Sequence, residues 1–339
     1  MIGRMLLALG VLVAAWALSG WVRRYALRRS MVDLPNPRGS HSTPTPRGGG
    51  LAIAISGLSG LALAGALGWV PGRAAAALVG GGILVAGIGW ADDRGNVPAA
   101  ARLAVHLLAA SWALWWLGAL PTLETGLGAV SLGDAGWAVA LVGIAGATNI
   151  YNFMDGIDGL AGGEAVSVGL LGAVILLAAG HGDLALVPLL IAAASAGFLS
   201  WNWAPARLFM GDIGSGLLGF LFGTLAVASE NAGALPVLAW LVLFGVFAFD
   251  GTATLLRRFL RGEVWYQPHR SHTYQRAVQV GWTHEQVTRA VLLLNLVLAA
   301  LVWAGERWPA LRFPAALVAF GGLAVLFWRV QRTWIARAP

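Results

Sequence analysis

The stretch "LVGIAGATNIYNFMDGIDGLAGGEAVSVGLLGAVILL" (141–177) sets two apolar runs on either side of a polar turn. Each run is long enough to belong to a helix that crosses the hydrocarbon core of a bilayer, which takes about 20 residues. The turn between them carries Asn152, Asp155 and Asp158 at a spacing of three, threaded with Gly156 and Gly159. On a helical turn that spacing places three oxygen-bearing side chains on one face. The glycines are expected to remove bulk so that a substrate or metal can approach the backbone. A single acid at a helix start needs no explanation beyond the helix dipole, but a repeated set does.

The rest of the chain has the same character. Of 339 residues, 58% are hydrophobic and 11% charged, against about 25% charged in soluble domains. Mean hydropathy is +0.74. These values point to one membrane-embedded domain over 1–339, an all-α polytopic protein with about eleven transmembrane helices. The spans are expected near 3–22, 49–70, 74–91, 102–120, 135–151, 160–180, 184–203, 213–229, 235–256, 287–304 and 313–331. Helices are required because lipid offers no partners for open backbone groups.

There is no cysteine, which excludes disulfide and thiol chemistry. The net charge of +7 does not indicate nucleic acid, because all 22 basic residues are arginines placed mostly between apolar segments, where orientation signals belong. The first 22 residues resemble a signal peptide, yet the basic cluster follows the apolar run, at Arg23, Arg24, Arg28 and Arg29. That order fits a retained first span with its N-terminus outside. With this orientation 18 of the 22 arginines fall on the cytoplasmic side. The outside loops look short and bland. Segment 273–280, in the longest inside loop, is expected to form a short helix.

Five cytoplasmic stretches carry the unusual residues. "DLPNPRGSHSTPTPRGGG" (33–50) is a shaped loop in which Arg38, His41 and Arg47 are placed to meet phosphate. "WADDRGN" (90–96) sets Asp92 beside Asp93, a repulsive pair that needs a cation or arginine when buried. "NFMDGIDGLAGG" (152–163) is the turn already described. "APARLFMGDIGSGLLGF" (204–220) puts Asp212 at a glycine-rich span start. "PHRSH" (268–272) pairs His269 with His272 around Arg270 and lacks a third soft ligand for zinc. The oxygen ligands suit Mg²⁺ with bound waters and substrate phosphates, with Mn²⁺ as an alternative. His and Arg donors stabilise charge on a transferring phosphoryl group. The expectation is a Mg²⁺-dependent enzyme acting at the cytoplasmic surface on a phosphorylated substrate. A transporter is the competing reading, but coupling residues there lie mid-span. Here the spans are nearly free of charge, with His106 and Asp250 as the exceptions.

"PNPRGSHSTPTPRGGG", "WADDRGN", "NFMDGIDGLAGG", "LFMGDIGS" and "HRSHTYQR" resemble, in that order, the motifs of the polyprenyl-phosphate N-acetylhexosamine-1-phosphate transferases, glycosyltransferase family 4. The resemblance runs from about residue 33 to 276. It implies transfer of a sugar 1-phosphate from a UDP-N-acetylhexosamine to a polyprenyl phosphate such as undecaprenyl phosphate, at the bacterial inner membrane, at the start of O-antigen-like polysaccharide assembly. It further implies Asn152 and Asp212 as the metal-binding pair. Asp92, Asp93 and Asp155, with His269 and His272, would form the catalytic group. Asp158 would contact the nucleotide, with Arg270, Arg47 and His41 as further substrate contacts. Asn96 stands where the GlcNAc branch often has a third Asp, and Arg270 and Ser271 interrupt the histidine run of the phospho-MurNAc-pentapeptide branch. That branch and a non-catalytic transporter are the alternative readings. The partners implied are the UDP-sugar, the lipid acceptor and the membrane. Glycine-rich spans permit a homodimer.

Overall fold

The computed structural model describes residues 1–29, 31–33, 44–95, 97–264 and 269–337. The protein is an all-α polytopic membrane protein. In chain order its helices are α1 (Ile2–Arg28), α2 (Gly50–Ala66), α3 (Gly72–Gly95), α4 (Ala99–Leu117), α5 (Ala135–Met154), α6 (Leu160–Ala178), α7 (Gly182–Asn202), α8 (Asp212–Asn231), α9 (Val237–Leu243), α10 (Gly245–Leu260), α11 (Thr273–Gln279), α12 (His284–Arg307) and α13 (Arg312–Arg337). Among the described residues, nine helical segments are long and apolar enough to span, and α9 with α10 makes a tenth that is bent by 85°. The remaining expected span is α2. Its 17 residues rise about 25 Å at 1.5 Å each, the short end of the spanning range.

Two differences from the sequence expectation bear on function. The segment expected as one helix over 235–256 breaks at Phe244 and Gly245. The seven residues of α9 rise only about 10 Å. α10 then turns sideways, apolar on one side and carrying Asp250, Thr254, Arg257 and Arg258. The second difference is Glu164. It is an acid inside a span that the expectation passed over, fully buried in α6. Asn295 Nδ2 of α12 donates to its Oε2 at 2.7 Å, pinning the two helices together.

α8 is the central helix, buried along nearly its whole length and flanked by α3, α5 and α2. Close approach at its start depends on glycine. A Cβ on Gly50 would lie 2.2 Å from the Gly214 backbone nitrogen, so α2 and α8 meet there backbone to backbone. Tyr151 is fully buried against Phe222, Phe244 and Phe247, and its hydroxyl donates to the Ala161 carbonyl at 2.6 Å. This aromatic cluster joins α5, α6, α8 and the α9–α10 break.

Two short hairpins close the ends. β1 (Val32–Asp33) pairs antiparallel with β2 (Thr45–Pro46). β3 (Thr122–Glu124) pairs with β4 (Ala129–Ser131) at the opposite end, where Glu230 accepts from the Glu124 and Val237 amides. This second hairpin replaces the featureless loop expected there. The ends of α3, α5, α7 and α10 and the starts of α2, α4, α6, α8 and α12 all arrive at the β1–β2 end. That end holds the motifs.

Candidate active site

Asp212, the first residue of α8, is the hub. Its Oδ1 accepts from Arg47 Nη2 and from Asn152 Nδ2, each at 3.1 Å. Its Oδ2 lies 3.4 Å from Arg102 Nη1. Arg102 also reaches Asp92 Oδ2 at 2.5 Å, and Asp92 Oδ1 accepts from the Val97 amide at 2.7 Å. Two guanidinium groups thus bracket carboxylates from two helices. The strip that delivers Arg47 is fixed by backbone bonds to the segment before α8. Phe209 N donates to Pro46 O, Gly49 N to Phe209 O and Gly50 N to Met210 O, each at 2.8 Å.

The tandem acids have separate fates. Asp93 has a side chain only 2% exposed. Its Oδ1 accepts from the Asp212 amide and Arg47 Nη2, both at 2.9 Å, and its Oδ2 from the Ile213 amide at 3.3 Å. It caps the dipole-positive start of α8, where a carboxylate satisfies otherwise open N–H groups. Its carboxylate is thus engaged by backbone and by Arg47 at the start of α8, where it braces Asp212. Asp92 is the member that faces Arg102 and Asp212.

Asp155 follows the last turn of α5. Among the described residues its carboxylate has no hydrogen bond and no ion pair. Burial, and then the charge of Asp212, push it up to about 7, with Arg47 pulling the other way. It is the one acid of this group left free to meet a ligand. Asp158, by contrast, is already engaged. Its Oδ2 accepts from the Ala206 amide at 3.0 Å and lies 3.4 Å from His284 Nδ1, and its carbonyl accepts from Thr288 Oγ1 at 3.0 Å. It ties the turn to the loop before α8 and to α12.

The glycines of the turn serve the protein itself, which corrects the expectation that they open the backbone to substrate. A Cβ on Gly156 would fall 2.1 Å from the Tyr274 hydroxyl. That hydroxyl donates to the Phe153 carbonyl at 3.0 Å, docking α11 on the turn that bears Asp155. Gly159 adopts a left-handed φ of +76° to start α6.

The histidine motif arrives with α11. Asp250, which drew attention as a charge within a span, accepts from the Thr273 amide with both oxygens at 2.9 Å and from the Thr273 and Thr254 hydroxyls. It anchors the start of α11. His272 is 2% exposed and stacks on Tyr274, 3.9 Å from Asp250. His272, expected in the catalytic group, is thus packed beneath the surface beside Asp250 and Tyr274. His269 is half-buried, with Nδ1 2.9 Å from Ser271 Oγ. Burial, then His272, lower its pKa to about 4, so it is neutral at physiological pH. Arg270 sits on the same half-buried rim, close enough to Tyr274 to act on it electrostatically. His41, Arg38 and Asn96 lie outside the described residues.

Arg102 escaped sequence reasoning because an arginine after a span reads as an orientation signal. Ser215, whose Oγ accepts from Asn152 Nδ2 at 2.9 Å, and Tyr274 were also missed. A signal for Ser215 existed, since it follows Asp212 by three, one helical turn.

The donor set determines which cation fits. Among the described residues no group of three His, Cys, Asp or Glu side chains gathers as a protein cage. The hard-oxygen candidates are Asn152 and Asp212, which are in contact, and Asp155, which feels the charge of Asp212. Asn152 turns its NH₂ to Asp212 and Ser215, so its oxygen would meet a cation only after a half-turn of the amide. Such a set fits Mg²⁺, which is commonly held by one or two carboxylates together with waters and substrate phosphates.

The family model described as glycosyl transferase family 4 matches residues 75–230. The chain is 31% identical to a decaprenyl-phosphate N-acetylglucosaminephosphotransferase of Mycolicibacterium smegmatis, over 97% of this chain and 83% of that protein. It is 29% identical to an undecaprenyl-phosphate alpha-N-acetylglucosaminyl 1-phosphate transferase of Yersinia pestis, over 91% and 88%. It is 32% identical to a phospho-N-acetylmuramoyl-pentapeptide-transferase of a Synechococcus species, over 88% and 92%.

Proposed function

Because the chain belongs to glycosyl transferase family 4, we propose that it transfers an N-acetylhexosamine 1-phosphate from a UDP-sugar to a polyprenyl phosphate. An oxygen of the lipid phosphate attacks the phosphorus next to the sugar. The bond from that phosphorus to the bridging oxygen breaks, and UMP leaves with the electron pair. The products are a polyprenyl diphosphate sugar and UMP. The relatives whose names carry a polyprenyl phosphate and N-acetylglucosamine support this acceptor and sugar class.

The observation that carries the reading is the pairing of an unpaired Asp155 with the Arg47–Asp212–Arg102 bracket. Phosphoryl transfer asks the protein mainly for positioning and charge stabilisation. Arg47 and Arg102 supply positive charge where two phosphorylated substrates meet. Asn152 and Asp212, with Asp155 beside them, would hold Mg²⁺, which supplies further charge neutralisation on the phosphate oxygens when bound. A phosphate monoester has its second pKa near ~6, so the acceptor is mostly a dianion at neutral pH and needs no strong base. Asp92 then acts through Arg102, and Asp93 through the start of α8.

On this reading the site faces the cytoplasm of a bacterial inner membrane, with the N-terminus outside. The test is UMP release from UDP-GlcNAc by purified protein in detergent with Mg²⁺, with and without undecaprenyl phosphate. Release that requires the lipid supports the reading. The donor panel includes UDP-QuiNAc, UDP-FucNAc and UDP-MurNAc-pentapeptide, and no UMP from any of them would overturn it.

A further inference from the structure

A cavity of about 280 Å³ lies between α10, α11, α12 and α13, lined by apolar side chains that include Phe249, Ala277, Val291, Leu294, Phe327 and Val330. The lining offers water few hydrogen-bond partners, so this space suits a hydrocarbon chain rather than solvent. Next to the cavity-lining residues of α11 and α13, two buried donors lack acceptors. Arg276, 6% exposed, has its guanidinium 4.1 Å from the Trp334 ring centre, and its Nε–H has no partner among the described residues. Gln331, also 6% exposed, accepts from Arg257 Nη1 through Oε1, and its Nε2 has no partner among the described residues. Buried polar groups are nearly always satisfied, so this pair points to a missing acceptor.

The local charge says what kind. Burial and the charges of Arg257 and Arg261 push Arg276 down to about 10. Arg329 lines the cavity as well. The acids nearby are occupied: Glu263 is 2.7 Å from Arg258, and Asp250 is bonded by Thr273 and Thr254. An apolar chamber beside a surplus of guanidinium groups has the complement of an anionic lipid. The strongest charged neighbours of Arg276 are Arg257, Arg261, Asp250 and Glu263, with none from the Asp92–Asp155–Asp212 cluster. Met154, Leu160 and Tyr274 form the cavity wall toward the catalytic turn, with Tyr274 tied to Phe153. That wall stands between the cavity and the turn that bears Asp155, which argues for a resident lipid rather than the acceptor.

We propose that this cavity holds one chain of an anionic glycerophospholipid whose phosphate is bound by Arg276 and Gln331 and neutralises Arg257 and Arg261. The lipid would steady α11, the element that carries the histidine motif, against α13.

The test uses the full chain in mild detergent, with lipid retention read by native mass spectrometry and stability by thermal unfolding. Phosphatidylglycerol should be retained and raise the unfolding temperature, and phosphatidylcholine should do neither. Arg276→Gln should cut phosphatidylglycerol retention at least tenfold. Gln331→Leu should weaken retention in the same direction. Equal retention of both lipids by the wild-type protein, or unchanged phosphatidylglycerol retention in both variants, overturns the proposal. So does one-for-one displacement of phosphatidylglycerol by undecaprenyl phosphate, which would make the cavity an acceptor site. Equal protection by inorganic phosphate alone would reduce it to a simple anion site and overturn it too. The wild-type arms stand even where a variant fails to fold.

Discussion

Replacing Asp93 with asparagine separates a helix-anchoring role from an acid–base role. The carboxylate accepts from the Asp212 and Ile213 amides and from Arg47, all in a nearly water-free position. Asparagine has one acceptor oxygen. If that oxygen keeps the Asp212 amide and Arg47, the new NH₂ confronts the Ile213 N–H donor to donor. One buried N–H then goes unsatisfied, at about 1–3 kcal/mol, and the weakened cap adds about 0.5–2 kcal/mol. Destabilisation of about 1.5–5 kcal/mol follows, felt first at the start of α8. Asp212 begins there, so transfer should fall by tenfold or more through mispositioning. Asp93→Asn should therefore lower the thermal unfolding temperature in detergent by several degrees. UMP release measured from pH 6.5 to 9 should fall by a constant factor. An unchanged unfolding temperature with a rate deficit that shrinks as pH rises would refute the anchoring argument and make Asp93 a base.

Asp92→Asn should also lose activity by a pH-independent factor, since a dianionic acceptor needs no deprotonation; a deficit that closes at high pH would sink that reasoning. Gly156→Ala should dislodge Tyr274, whose hydroxyl occupies the space of the new methyl, costing about 1–3 kcal/mol for the lost bond to Phe153; pairing it with Tyr274→Phe should recover part of the unfolding temperature, and no recovery would show that the clash lies elsewhere. His269 has its pKa lowered to about 4, against about 6.5 when unfolded. The folded state thus binds fewer protons in that interval, and this contribution to stability is complete above pH 6.5 and lost as pH falls toward 4. Wild-type unfolding temperature should drop over that window more than that of His269→Asn, and parallel curves would contradict the assigned shift.

The membrane architecture was legible because lipid leaves few solutions: a long apolar run must be helical, and arginines mark its flanks. The break at Phe244 and Gly245 was not, because hydropathy continues unbroken through the junction while the backbone turns. The convergence of Asn152, Asp212, Arg47 and Asp92 at one end followed from topology alone. The division of labour between Asp92 and Asp93 did not. Consecutive helical residues point about 100° apart, and only packing decides which one meets the start of α8. Arg102 was hidden because an arginine that sets orientation and one that pairs with carboxylates have the same sequence signature. Asp250 was visible as an anomaly, but its partner, Thr273, lies 23 residues on, beyond the end of α10.

The central claim is best tested by following the phosphorus. UDP-GlcNAc labelled with ³²P at the β-phosphate, incubated with the protein, Mg²⁺ and undecaprenyl phosphate, should give label in the lipid product and unlabelled UMP in equal amounts. Label retained in released UDP would show transfer of the sugar without its phosphate, and label appearing as free sugar phosphate would show hydrolysis. Either result would contradict the account.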